Sequence, residues 1–334
     1  MVNLRNRRTG RLAPTLLFGV LLFFGMSGSG QTAPKRLLLA LSKADHTLAL
    51  VDPGSLKIIA RLPVGTDPHE VIASADGTKA YVTIYGGGSL HEINVLDLVG
   101  QKALTAIDTR PLYGPHGIEF RDGKVWFSAE GSKAVGRWDP AAGKLDWAMG
   151  TGEDRTHMVY VTPDGNNVYT TNVTSGTVSI LNNVNGQWKQ TIVPTAKGSE
   201  GFDVSPDGKL LWTASSGDGT ISIVDVAAKK LDAKLDAHVQ GANRVKFTPD
   251  GKQVFIASLS SGELTVYDVA SRKEVKRIKL GRGAAGILMD AAANRAFVAC
   301  SPDNYIAIVD LTKLEVTGHL EVGGTPDGMA WAGQ

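Results

Sequence analysis

The chain has 334 residues, 43% of them hydrophobic and 20% charged, with 35 basic against 33 acidic side chains. That balance suits a globular protein with a large core. With no clustered basic face, it excludes nucleic acid as the main ligand.

Residues 1–30 read as a leader rather than as part of the fold. Arg5, Arg7, Arg8 and Arg11 precede the apolar run Leu16 to Met26, and SGSG follows. This is the layout of a secretory signal peptide cleaved near Gly30, and the run is short for a span, which needs ~20 apolar residues. Removing its four arginines leaves 31 basic and 33 acidic residues. The expectation is a periplasmic or secreted protein with no membrane span in the mature chain. Cys300 is the only cysteine, so no internal disulfide framework exists; its setting AFVACSP reads as a buried strand.

From residue 35 onward one unit recurs. AYVTIYGGGSLHEINVLDL (80–98) returns as VYTTNVTSGTVSILN (168–182), LWTASSGDGTISIVDV (211–226), VFIASLSSGELTVYDV (254–269) and AFVACSPDNYIAIVDL (296–311). VWFSAEGSKAVGRWDP (125–140) and LLLALSKADHTLALVDP (37–53) are diverged copies, which makes seven. Most copies follow a short apolar strand and an Asp-Gly turn, the signal of a tight hairpin. A unit of ~42 residues with four short strands is the size of a propeller blade. The first unit lacks its inner strand, and GMAWAGQ (328–334) is a spare one at the other end. The predicted fold is therefore all-β: residues 31–334 form a single seven-bladed propeller closed by the C-terminal strand.

Pro63 to Thr83 follow the pattern P-V-G-x-x-P-x-x-V-x-x-S-x-D-G-x-x-x-Y-V-T, which resembles the YVTN β-propeller repeat. The resemblance covers residues 35–334 and implies the propeller fold. Relatives of that kind include surface-layer and periplasmic proteins, propeller subunits of quinoprotein dehydrogenases and, more distantly, lactonases, so fold alone implies no activity.

Aligning the loop that leads into each inner strand gives TDPHEV, YGPHGI, DRTHMV, GSEGF, GANRV, GAAGI and TPDGM. One register position thus carries His69, His116, His157, Glu200, Asn243, Ala285 and Asp327, spaced by 47, 41, 43, 43, 42 and 42 residues. Seven histidines spread evenly would place about 0.15 in such a set; three are there, on consecutive blades. Propeller symmetry gathers these positions at one mouth of the channel. His69, His116, His157 and Glu200 together match the ligand preferences of zinc, copper or iron. A metal-free ligand pocket and a polar channel plug are the alternatives.

The turns on the same face offer Tyr85, Glu130, Asn172, Ser216 and Ser301. Glu130 reads either as a solvated turn residue or as a base that orients an imidazole or activates water. Arg155 and Arg244 are expected to bind an anionic group, with Arg282 a weaker third. Asn243 and Asp327 complete the expected pocket. Haem attachment, dinucleotide, phosphate-loop and G-x-S-x-G motifs are absent. The functions left open are metal-dependent hydrolytic or oxidative chemistry on a small molecule, a lactonase-type hydrolase, a non-catalytic scaffold for a periplasmic protein partner, and an accessory subunit in quinoprotein or cytochrome electron transfer.

Overall fold

The structure, a computed structural model, describes residues 36–333; the leader read from residues 1–30 lies outside them. Seven antiparallel sheets follow one another in chain order, each built from consecutive strands. The exception is the first. There the C-terminal strand Pro326–Ala332 pairs with Leu37–Ser42, which continues through Thr47–Val51 to Ile58–Pro63. This is the closure expected from the unequal chain ends. The inner strands of blades 2 to 7 are Pro68–Ala73, Pro115–Arg121, Thr156–Val161, Ser199–Val204, Ala242–Phe247 and Ala284–Asp290. Each touches the next, and Pro326–Ala332 touches Pro68–Ala73, so the seven blades form a closed ring.

The core lies between blades rather than inside one. Leu39, Leu41 and Leu48 of blade 1 pack on Val71, Val82 and Leu96 of blade 2. On the other side, Leu38 and Ala40 pack on Phe297 and Ile306 of blade 7. Strands buried on both faces read as continuous apolar runs, as in LLLAL and AFVAC. Outer strands face solvent on one side and alternate, as Ile58–Pro63 does. Cys300 is fully buried in this core.

The Asp-Gly turns work as expected. In SADG, Asp76 Oδ1 accepts the Thr78 N–H at 3.0 Å and Gly77 takes φ 67°. Blade 2 departs from the regular four strands. Its outer strand is two fragments, Lys102–Ala103 and Ile107–Asp108, with regular pairing interrupted at residues 104–106, where Leu104 N–H still bonds Val95 O at 2.8 Å.

Candidate functional site

The register residues were expected in loops leading into the inner strands. Instead, each is the second residue of its strand, and in every blade the pairing slips at that point, between Pro68 and Val71 in blade 2 and between Thr156 and Val159 in blade 4, for example. Such a bulge re-aims one side chain. Repeated seven times, it turns one side chain per blade toward a common cavity of about 260 Å³. His69, His116, His157, Glu200, Asn243, Ala285 and Asp327 all line it, with Tyr85, Arg155, Arg244 and Ser301.

The three imidazoles pack side by side. Ring centroids are 4.6 Å apart for His69 and His116 and 3.9 Å for His116 and His157. Tyr85 stands edge-on, 4.9 Å from His69 and 5.1 Å from His116.

Their electrostatic settings differ sharply. His157 is buried, and its Nδ1 lies 2.8 Å from Glu130 Oε1. Its Nε2 is 3.3 Å from Glu200 Oε1, an ion-pair distance without hydrogen-bond alignment. Burial acts to lower this imidazole, but the Glu130 hydrogen bond and the charges of both carboxylates outweigh it, so it is raised above the ordinary histidine value. His116 is equally buried but has no carboxylate partner; burial, then the charges of His157 and His69, hold it well below the ordinary value. One imidazole is thus built to be protonated and its neighbour to be neutral.

Glu130 is not a solvated turn residue. It opens a short 3₁₀ turn, Glu130–Ser132, that Lys133 ends in the left-handed region, and it is only 6% exposed. Burial acts to raise its carboxyl, yet His157, the Tyr85 hydroxyl and Arg155 hold it at about 2. Tyr85 donates to Glu130 Oε2, and Arg155 Nε donates to Oε1 at 3.1 Å. Tyr85, Glu130, His157 and Glu200 therefore form one chain of contacts, which Asn243 extends by donating to Glu200 Oε1 at 2.8 Å.

His69 stands apart from this chain. Its Nε2 lies 2.8 Å from Lys43 Nζ and 2.9 Å from Asp67 Oδ1, and Lys43 also lies 3.5 Å from Asp327. Burial and then Lys43 lower its imidazole. Among the described residues no group of three or more His, Cys, Asp or Glu is placed to hold a metal ion as the side chains stand. Lys43 and Asp67 engage His69 and take it out of any such set.

One residue deeper the channel narrows. Gly117, Gly201, Gly286 and Gly328 follow four of the register residues, because there the next blade's backbone comes close. A Cβ on Gly201 would lie 2.3 Å from Asn243 O, and one on Gly328 2.4 Å from His69 O. Glu70 and Arg244 occupy this layer from opposite sides of the ring and form an ion pair. Burial acts against the Arg244 charge, but Glu70, Asp327 and Glu200 outweigh it and raise the guanidinium further. Arg244 is thus tied into the channel.

Asn172 and Arg282 are not brought to the cavity. Asn172 is fully buried within blade 4, donating to Ser179 Oγ at 2.9 Å and accepting from Thr156 Oγ1 at 3.0 Å. Arg282 is solvent-facing and paired with Asp303.

Sequence reasoning missed Lys43, Asp67 and a set of hydroxyl clamps. Thr83 donates to His116 O at 2.8 Å, Ser128 to His157 O, and Thr171 to Glu200 O at 2.6 Å. Each hydroxyl sits on the second strand of one blade and fixes the register backbone of the next. At the same point blades 5, 6 and 7 carry Ala214, Ala257 and Ala299. Comparing that column of the repeat would have found the signal.

No protein-family model matches the chain, and no curated protein does. Solved structures resemble it at the level of fold. A candidate 6-phosphogluconolactonase from Bacteroides uniformis superposes with a TM-score of 0.74 at 14% identity, over 89% of this chain and 100% of the other. A functionally unknown protein from Desulfotomaculum acetoxidans gives 0.73 at 13% identity, over 89% and 98%. The dihydro-heme d1 dehydrogenase NirN, in complex with DHE, gives 0.65 at 17% identity over 86% of this chain, which spans 63% of that protein. No helix among the described residues is long and apolar enough to cross a membrane.

Proposed function

We propose that the protein is an exported propeller of the YVTN kind whose channel mouth binds a small anionic molecule and exchanges a proton with it through His157. One observation carries this reading. His157 lines the cavity, is clasped by Glu130 at Nδ1, and is left with a buried Nε2 that has no aligned acceptor. A carboxylate on one nitrogen orients an imidazole and favours its charged form, leaving the other nitrogen to deliver or take a proton. Lys43 and Arg155 flank the same cavity and supply charge for a carboxylate or phosphate. Positioned proton transfer of this kind contributes ~10²–10⁴ to a rate.

The test is thermal shift against small carboxylates, phosphate esters and lactones, on wild type and on His157→Gln and Lys43→Met variants. Stabilisation by one anion class that both variants lose supports the reading. A wild type that responds to none of the panel sinks it.

A second reading has its own observation. The buried nitrogens His116 Nδ1 and His157 Nε2 lack hydrogen-bond partners. The 3.3 Å from His157 Nε2 to Glu200 Oε1 equals the edge of a tetrahedron with bonds of ~2.05 Å, the zinc–nitrogen and zinc–oxygen length. Zinc, copper or iron would then take His116, His157 and Glu200, with Glu130 behind His157 as carboxylates stand behind metal-bound imidazoles. Roughly one metal per chain by mass spectrometry, lost in a His116→Ala/His157→Ala variant, establishes it. No uptake after reconstitution removes it.

A further inference from the structure

Below the Glu70–Arg244 pair the channel opens into a second cavity of about 340 Å³, which Arg244 and Glu70 both border. Its polar lining comes from another ring of the repeat, three residues beyond the register position: Glu119 after His116, Tyr160 after His157, Asp203 after Glu200 and Lys246 after Asn243. In a strand, alternate side chains share a face, so this ring lies two residues, or ~6.6 Å, beyond the Glu70–Arg244 layer. At the same point Ile72, Leu288 and Ala330 close the wall with apolar groups.

Most of the charge there is matched. Lys246 Nζ lies 3.3 Å from Asp203 Oδ1, and Asp203 Oδ2 accepts the Phe247 N–H at 2.8 Å. Glu70 is matched by Arg244. Glu119 has neither hydrogen bond nor ion pair among the described residues, and its carboxyl borders the cavity. Burial raises it to about 7, against the pull of Lys246 and Arg121 and with the push of Asp203; Tyr160 shares its surroundings. Arg121 lies farther along the same strand, outside the cavity lining.

We infer that this lower cavity is a binding site for a small organic cation, a primary amine with an apolar body, whose ammonium pairs with Glu119. A volume of this order holds a small ligand. Ile72, Leu288 and Ala330 make one side of the wall apolar, and an unmatched carboxylate on the polar side selects for a donor that carries charge at one end. Entry of the ammonium favours the ionised carboxylate, so binding takes up the cavity's one unpaired charge. The site is independent of the chemistry proposed at the mouth, from which the Glu70–Arg244 pair separates it.

Calorimetry with butylammonium and benzylammonium, and with butanol and benzyl alcohol as neutral matches, tests the assignment on the full mature chain. Expected are saturable binding of an amine, affinity that rises with pH through about 7, and a loss of roughly tenfold or more in Glu119→Gln. Glu119→Gln removes a partly exposed charge and keeps the side-chain volume, so its folding is checked by unchanged circular dichroism and melting. Glu200→Gln, at the mouth, should leave the affinity unchanged. The inference is overturned if neither amine binds wild type, if the alcohols bind as well, or if Glu200→Gln rather than Glu119→Gln abolishes binding.

Discussion

Blades 2 to 4 and blades 6, 7 and 1 share the same bulged inner strand and have opposite contents. The first three present His69, His116 and His157 at the register, and their second strands supply Thr83, Ser128 and Thr171. On the other side the register passes through Asn243 and Ala285 to Asp327, and alanines or Leu41 stand where the hydroxyls were. Blades 7 and 1 meet instead through fully buried Phe297, Leu38 and Ile306. The difference teaches that the repeat separates two tasks: one arc of the ring holds polar chemistry in place, and the other keeps the ring shut.

The largest expected effect breaks the closing arc. Phe297→Ala should cost about 3–5 kcal/mol in urea unfolding, from lost burial plus a cavity. A cost below about 1 kcal/mol would show that closure does not depend on this contact.

On the polar arc, Glu130→Gln should destabilise by about 2 kcal/mol near pH 6, because a buried charged partner of His157 is lost. The sign follows from both groups. Glu130 is depressed to about 2, so its contribution is present above the ordinary carboxylate value and fades as pH falls toward 2. His157 is raised, so its contribution is full below the ordinary histidine value and fades as pH rises through the folded one. The wild-type advantage should therefore peak between about pH 4.5 and 6.5. A difference independent of pH would mean that the contact is not ionic.

Nitrogen-15 spectra of the imidazoles sharpen the contrast within that arc. His157 should stay protonated above the ordinary histidine value while His116 is already neutral below it. In Glu130→Gln the His157 titration should move down. Identical titrations for the two residues would dissolve the distinction.

Smaller still is the clamp. Thr171→Val should cost about 1 kcal/mol for one buried hydrogen bond, measured by urea unfolding, whereas Ala257→Ser, at the matching point of the other arc, should bring no gain. At the exposed end, Arg155→Ala should stay within about 0.5 kcal/mol while weakening anion binding at the mouth.

The fold was legible because seven similar units vote together: a misread turn in one copy is corrected by the others. The register was legible for the same reason, as histidines one blade apart. What escaped was whatever occurs once. Lys43 lies in the divergent first unit, and the packing of blade 1 on blade 2 brings it beside His69. Glu70 and Arg244 are 174 residues apart and meet because the blades face each other across the channel. The sequence left Glu130 with two readings, since nothing in SAEGSKA shows that Tyr85 from the preceding blade will cover it. The split outer strand of blade 2 also left no trace in the repeat.

The strand Pro326–Ala332 supplies the inner strand of the blade that begins at Leu37. This places a constraint on timing. A chain synthesised from its N-terminus delivers that strand last, so Leu37–Ser42 waits through nearly the whole of synthesis without its partner. The register position that Asp327 brings to the mouth, and the Lys43–Asp327 contact with it, come into being only when the ring locks. The pocket therefore cannot exist on a partly delivered chain; completing the site and completing the fold are one event.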